Sequence, residues 1–382
     1  MKPYNYINCI LQTIINDCYS DEIEYYVFDN DARWDDSPDI FGPDATNRGS
    51  YGNLRPGKYS VGQMYYDYYN KCWRDGKDIS PIYPSIIDHS FEPIHYEMDI
   101  TLWNRSYKKY HPWPADCLTI KDLPLIVLHS EYGSKDIKKL NNMGYLDVHW
   151  FAHAYLCSEF YFKHYYKLEI VKNYRARPIK YPWICTNRLI DGPRKYRLDF
   201  LNCIDTSKGM YSLLNKDPYT NRTLEEIYPD NKVKSNSFDT HENHSAEIKI
   251  DELTPWNTSF LHVVSETVWQ EKIHFTEKVF KPIVLHQPFV VLQAPGSLAY
   301  LRSYGFKTFG AWWDESYDTI EDPTARMQAI ADIVNSIGNK SLDELETMRM
   351  EMASVLEHNF RHFYENIPAI CLDELRKGIA TL

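Results

Sequence analysis

No stretch of this 382-residue chain approaches the ~20 consecutive apolar residues that a membrane-spanning helix needs. The opening residues lack the basic-then-apolar pattern of a secretory signal. The eight cysteines, at 9, 18, 72, 117, 157, 185, 203 and 371, form no C-x-x-C pair and no metal-type spacing. Together these absences argue against an integral membrane protein, a disulfide scaffold and a zinc-organised domain. Cys157, Cys185 and Cys203 sit in apolar runs, where reduced, buried thiols belong. The expectation is a cytoplasmic protein with no membrane partner.

What the chain has instead is aromatic side chains. Thirty-one tyrosines and ten tryptophans raise the aromatic content to 15%, which favours sites that stack against rings or sugars. Hydrophobic content of 43% and charged content of 25% are those of an ordinary globular protein. A length of 382 residues suggests two domains, each able to build its own core.

Order in the pattern is greatest between Phe260 and Phe306. Phe260–Val264 is a short apolar run, as a strand buried on both faces should be. Thr276 can cap a helix in which Val279, Phe280, Ile283 and Val284 fall at helical spacing. Gln287-Pro288 stops it, Phe289–Leu292 is the next strand, and Pro295-Gly296 turns the chain into a third element carrying Leu298, Leu301 and Arg302. Strand–helix–strand units of this kind build parallel sheets, which take ligands at the carboxyl ends of their strands. Ser265-Glu266 and Thr276-Glu277-Lys278 stand at that end. A helix N-terminus suits a phosphate, Lys278 adds a full positive charge, and Glu277 can accept hydrogen bonds from a ribose diol. Ordinary helix capping accounts for the same residues equally well.

These segments resemble the donor-binding half of GT-B glycosyltransferases, especially the fucosyltransferase-like and exostosin-like branches. The resemblance lies in Phe260–Glu266, then FTEKVFKP, then QPFVV. Trp183–Leu201 and Gly296–Asp318 are similar to segments of glycosyltransferase-like proteins from tailed phages. The similarity covers roughly residues 125–320, with one departure: Trp269–His274 lengthens the loop between Glu266 and Glu277 relative to the family's common form. It implies an α/β protein of two Rossmann-like domains facing a cleft, with C-terminal helices. The domains would be 1–180 on the acceptor side and 181–358 for the donor, with 359–382 crossing back as a helix. It also implies a metal-independent transferase that needs no cofactor and takes a nucleotide-sugar as donor, in a host cytoplasm if viral. Glu266, Thr276, Glu277 and Lys278 become donor-binding candidates.

Arg188, after the strand Trp183–Thr186, and Arg194, behind Pro193 at a helix start, are further candidates for a diphosphate. An exposed helix cation is the plain alternative for Arg194. Leu123–Leu128 reads as a strand ending at His129-Ser130-Glu131, and Ser134 caps a helix carrying Ile137, Leu140 and Met143. Glu131, at a strand's carboxyl end, is the first candidate for a catalytic base, and His153 the second. His149 and His153, four residues apart, can share a helix face, but no third metal ligand accompanies them. Pro178–Trp183 reads as an extended crossing between domains.

The remaining segments are less regular. Residues 4–18 carry an amphipathic helix pattern, and 22–29 a strand leading to Asp29-Asn30-Asp31. Asp-x-Asp suits a divalent ion, but only a helix precedes it, so an Asx turn is the reading adopted. Residues 35–60, rich in Asp, Gly, Pro and Asn, suggest a long functional loop or a mobile lid. Residues 76–117 show little periodicity, 215–258 suggest an insertion, and the tail from Asp322 is helical.

Net charge is −11, yet Lys163 to Arg197 holds ten Lys/Arg against Glu169 and Asp191, interleaved with six aromatics. Such a stripe can hold a polyanion, with Lys172, Arg175 and Arg177 as contacts. Solvated surface plus donor-diphosphate binding explains it too. With the phage-like segments, it points to hydroxymethylated bases in double-stranded DNA as acceptor, a base being flipped out for reaction. A glycan or protein acceptor, and a non-catalytic sugar-nucleotide-binding protein, are the alternatives.

Overall fold

The structure is a computed structural model. It describes residues 27–29, 86–88, 126–142, 146–159, 162, 174–188, 190, 192–216, 222–236 and 255–381. The amphipathic segment 4–18, the loop 35–60, Asn30-Asp31, Met143, Lys163, Lys167, Lys172 and most of 76–117 lie outside the described residues. The chain forms two compact units: Met1–Ala152 with Cys371–Leu382, and His153–Ile370. Both are α/β with parallel sheets.

The first unit carries β1 (Val27–Asp29), β2 (Ile86–Asp88), β3 (Ile126–His129) and β4 (Leu146–His149). They pair in that order, all parallel. Helix α1 (Lys135–Asn142) lies between β3 and β4. Ser134 starts it as expected, its Oγ accepting the Ile137 N–H at 3.4 Å. Val148 is buried, and a Cβ added to Gly378 would overlap its side chain. Glycine is therefore what lets the C-terminal helix backbone approach β4 so closely.

His149 and His153 do not share a helix. His149 closes β4, whereas His153 lies in α2 (Ala152–Leu156). The apolar run Trp150–Ala152 that separates them is fully buried, and the backbone turns there from extended to helical. A spacing of four therefore does not put the two rings on one helix face, and His153 is a buried histidine.

The second unit holds β5 (Tyr181–Asn187), β6 (Met210–Leu213), β7 (Ser259–Ser265) and β8 (Phe289–Leu292), parallel and in the order β6-β5-β7-β8. Every residue of β7 and β8 is buried, as unbroken apolar runs in a covered parallel sheet require. Helix α3 (Tyr196–Cys203) leads from β5 towards β6, and α4 (Glu277–Val284) joins β7 to β8. The expected strand–helix–strand over 260–292 is present, with Thr276 as cap. Helix α5 (Ser297–Ser303) follows the Gly296 turn, where φ of +80° favours glycine. Helices α6 (Pro323–Gly338), α7 (Leu342–Glu351), α8 (Ala353–Arg361) and α9 (Ile367–Ala380) form the helical tail. Asp322 caps α6, and Ser341 with Glu344 forms a capping box on α7.

Pro193 does not open an α-helix. Gly192–Arg194 is a 3-10 turn, and α3 begins two residues after it, at Tyr196. The positive φ of Gly192, +57°, places a left-handed residue at its start.

Candidate functional site

Strand order decides where a ligand would sit in the second unit. From β5 the chain crosses to β6 on one side, then returns to β7 on the other. Crossovers leave β5 and β7 in opposite directions, and open parallel sheets bind ligands at the carboxyl ends flanking such a point. Those ends are Asn187-Arg188 and Ser265-Glu266-Thr267.

Beyond β7 the candidates converge. Glu266 is fully buried, and its carboxylate accepts the Thr276 backbone N–H at 3.1 Å and the Thr276 hydroxyl at 2.6 Å. Burial pushes its pKa up, against the pull of Lys278 and Thr276. Lys278 Nζ donates to Thr267 Oγ1 at 3.2 Å, Thr276 Oγ1 at 2.9 Å and Glu277 Oε1 at 3.0 Å, and stands 4.0 Å from Glu266 Oε2. One ammonium thus neutralises part of the charge of two carboxylates, one buried and one half-buried. The Lys278 side chain keeps 23% exposure, so it is reachable by a ligand.

A second layer fixes this cluster from α3. Tyr196 donates its hydroxyl hydrogen to the Glu266 carbonyl. The buried Arg197 guanidinium donates to the carbonyls of Glu266, at 2.9 Å, and Ser265, at 3.3 Å. Buried and bonded to two backbone carbonyls, Arg197 belongs to the fold rather than to a surface stripe. The long loop after Glu266 is anchored too. Trp269 stacks on Tyr196 with ring centroids 5.4 Å apart, and the Arg326 guanidinium lies 4.3 Å from the Trp269 ring centre. Arg326 also donates to the carbonyls of Trp269, Ile320 and Glu321.

The N-terminus of α5, by contrast, is already occupied. Asp318 accepts from the N–H groups of Leu298, at 2.8 Å, and Ala299, at 3.0 Å, and from the Ser297 hydroxyl at 3.2 Å. That internal carboxylate takes the place an anionic ligand would need there.

The other candidates fall as follows. Arg188 is exposed immediately after β5, and Arg194 is half-buried in the 3-10 turn. His153 is buried, its ring 5.1 Å from that of His274 in an edge-on contact. His274 precedes Thr276 by two residues, so His153 packs beside the loop that leads into the Thr-Glu-Lys cluster. Arg175 is exposed. Arg177 donates to Asn257 Oδ1 at 2.6 Å and to the Leu285 carbonyl at 2.5 Å, tying it into the second unit. Lys172 lies outside the described residues.

In the first unit, Glu131 is buried just beyond β3. Its backbone N–H donates to His129 Nδ1 at 3.3 Å, while His129 Nε2 stands 3.0 Å from Asp147 Oδ2. With Nδ1 accepting, the ring proton belongs on Nε2, donated to Asp147. That bond is the largest influence holding the Asp147 carboxyl below its ordinary value. His149 stands 5.2 Å from His129, ring to ring, and burial lowers its pKa to about 4. At neutral pH it is therefore uncharged.

Sequence reasoning missed Thr267, Tyr196, Trp269, Arg326 and the His129–Asp147 pair. Their partners lie up to 73 positions away, as Trp269 does from Tyr196, and no local period links them. Among the described residues no group of His, Cys, Asp or Glu could hold a metal, and no helix is long and apolar enough to cross a membrane. The chain matches no protein-family model and no curated protein.

Proposed function

We propose that this protein is a nucleotide-sugar-dependent glycosyltransferase whose donor binds at the carboxyl ends of β5 and β7. The observation that carries the reading is the convergence of Thr267, Thr276, Glu277 and Lys278 beside the strand-order reversal. A nucleotide-sugar asks for a cation near its diphosphate and a carboxylate near a diol, and Lys278 and Glu277 supply both. The resemblance of FTEKVFKP to the donor half of GT-B enzymes supports the same assignment.

Chemically, the bond between the sugar's anomeric carbon and the phosphate oxygen breaks as the acceptor oxygen bonds to that carbon. The diphosphate leaves with the electron pair, and Lys278, Arg188 and Arg194 stabilise its charge. A base takes the acceptor's proton, the role for which Glu131 and His153 are proposed. The proposed acceptor is a hydroxymethylated base in duplex DNA. Arg175, Lys180, Arg188 and Lys195 support it as the exposed cations of the stripe among the described residues. Arg177 and Arg197 are engaged within the fold and do not contribute to it.

The test is incubation with a panel of nucleotide-sugars and hydroxymethylated duplex DNA, followed by mass spectrometry of the nucleosides. A hexose or pentose mass on the modified base is the expected result. Sugar transfer only to a glycan or protein acceptor would replace the DNA half of the reading. Donor binding without turnover on any acceptor would make it a binding protein.

A further inference from the structure

Asn187 ends β5, beside the point where strand order reverses, and is buried, with 2% relative exposure. Its backbone N–H is taken by Ser212 Oγ at 3.1 Å, and its Nδ2 donates to Cys185 Sγ at 3.3 Å. Cys185 Sγ in turn stands 3.7 Å from Ser265 Oγ on β7. A line of polar side chains therefore crosses both strands that flank the reversal. It stops at Asn187 Oδ1, a buried acceptor with no hydrogen-bond partner among the described residues. Native proteins rarely leave such an acceptor unmatched, because its lost hydration goes uncompensated. Where one persists at a ligand-binding edge, the missing donor is expected on the ligand.

Resting on the donor site proposed above, we infer that the Asn187 side-chain carbonyl is a ligand contact, accepting a hydrogen bond from the nucleoside part of the donor. The chemistry discriminates between the parts of a nucleotide-sugar. An ionised diphosphate carries acceptors only and cannot satisfy Oδ1, whereas a nucleobase N–H or a ribose hydroxyl can. Asn187 thus complements Lys278: one group meets the donor-bearing nucleoside, the other the anionic linkage.

Asn187→Leu removes the acceptor at similar volume, and two readouts decide the matter. Calorimetric titration with UDP, GDP and dTDP, which carry no sugar, should show about tenfold weaker binding of whichever probe the native protein prefers. The melting temperature without ligand should be unchanged or higher, since an unmatched acceptor has been removed. Should leucine prevent folding, Asn187→Ala carries the affinity readout alone, because the void it opens lowers the melting temperature by itself. Unchanged nucleotide affinity overturns the inference while leaving the donor site standing. So does weaker binding accompanied by a lower melting temperature in the leucine variant, which is the mark of a structural side chain. Failure of the native protein to bind any nucleoside diphosphate removes the donor site itself, and the inference with it.

Discussion

Glu266 grips Thr276 twice, through its backbone N–H at 3.1 Å and its hydroxyl at 2.6 Å. The same hydroxyl oxygen accepts from Lys278 Nζ at 2.9 Å, so a buried carboxylate, a cap and a cation form one unit. Thr276→Val keeps the shape but deletes the hydroxyl at the centre. It should cost roughly 1–3 kcal/mol of stability, the range for leaving buried polar partners unmatched. Denaturant unfolding measures it, and a loss of only a few tenths would mean the hydroxyl is replaceable by water.

Glu266 itself should leave a pH signature. Burial raises its carboxyl above the ordinary 4.5, so the folded protein holds this proton more tightly than the unfolded chain. A raised carboxyl favours folding fully below the unfolded value, and that advantage fades as pH rises through the folded pKa. Glu266→Gln cannot titrate there. The stability of the variant relative to the native protein should therefore rise with pH from about 4.5 upward. A difference that is flat or falls with pH would show that Lys278 and Thr276 fully offset the burial.

Lys278 stands beside the Glu266 and Glu277 carboxylates and, under the proposed function, also meets the donor diphosphate, so replacing it tests both roles. Lys278→Ala should weaken nucleotide-sugar binding by roughly 1.5–3 kcal/mol, the range for a hydrogen bond to a charged group. It should also drive the Glu266 carboxyl further up, because the largest influence opposing burial is that ammonium. Calorimetry on a folded variant checks the first effect. Unchanged affinity would confine Lys278 to neutralising Glu266.

The parts of this fold that were legible in the sequence are those with a local signature. Phe260–Val264 and Phe289–Leu292 are short apolar runs, and Thr276 precedes apolar residues at helical spacing, so composition alone outlines β7, β8 and α4. The Thr-Glu-Lys cluster was legible for the same reason. Strand order was not, because pairing of β5 with both β6 and β7 depends on which apolar surfaces meet after the crossovers form. The roles of Arg177 and Arg197 were hidden too. Charge clustering counts cations along the chain, whereas burial of each guanidinium depends on carbonyls contributed by Leu285 and by Ser265 and Glu266. The spacing of His149 and His153 could not decide between a shared helix face and separate elements, because four residues fit one face only if the intervening backbone is helical.

Arg326 offers a test of how the loop after Glu266 is held. Its guanidinium lies over Trp269 and donates to three carbonyls, and lysine cannot reproduce that planar fork. Arg326→Lys should cost roughly 1–3 kcal/mol, chiefly through the buried Trp269 carbonyl left without its donor. It should also speed proteolysis between Thr267 and Phe275 without touching the helix cap. Equal cleavage rates in the variant and the native protein would show that Tyr196 stacking alone anchors the loop.

Within the basic stripe, structure separates cations that can reach a polyanion from those that cannot. Arg175 and Lys180 are exposed, whereas Arg177 is tied to Asn257 and to the Leu285 carbonyl. If duplex DNA is the acceptor, its binding releases counterions, and each phosphate contact contributes about −0.9 to the slope of log K against log salt. Replacing Arg175 and Lys180 with alanine should make that slope shallower by up to about 1.8, with free nucleotide-sugar affinity nearly unchanged. Arg177→Ala should behave differently, lowering stability by roughly 1–3 kcal/mol because Asn257 and the Leu285 carbonyl lose their donor. Its effect on the salt slope should be small. DNA binding that ignores salt, or a double variant with an unaltered slope, would move the acceptor away from nucleic acid and towards a glycan or protein hydroxyl.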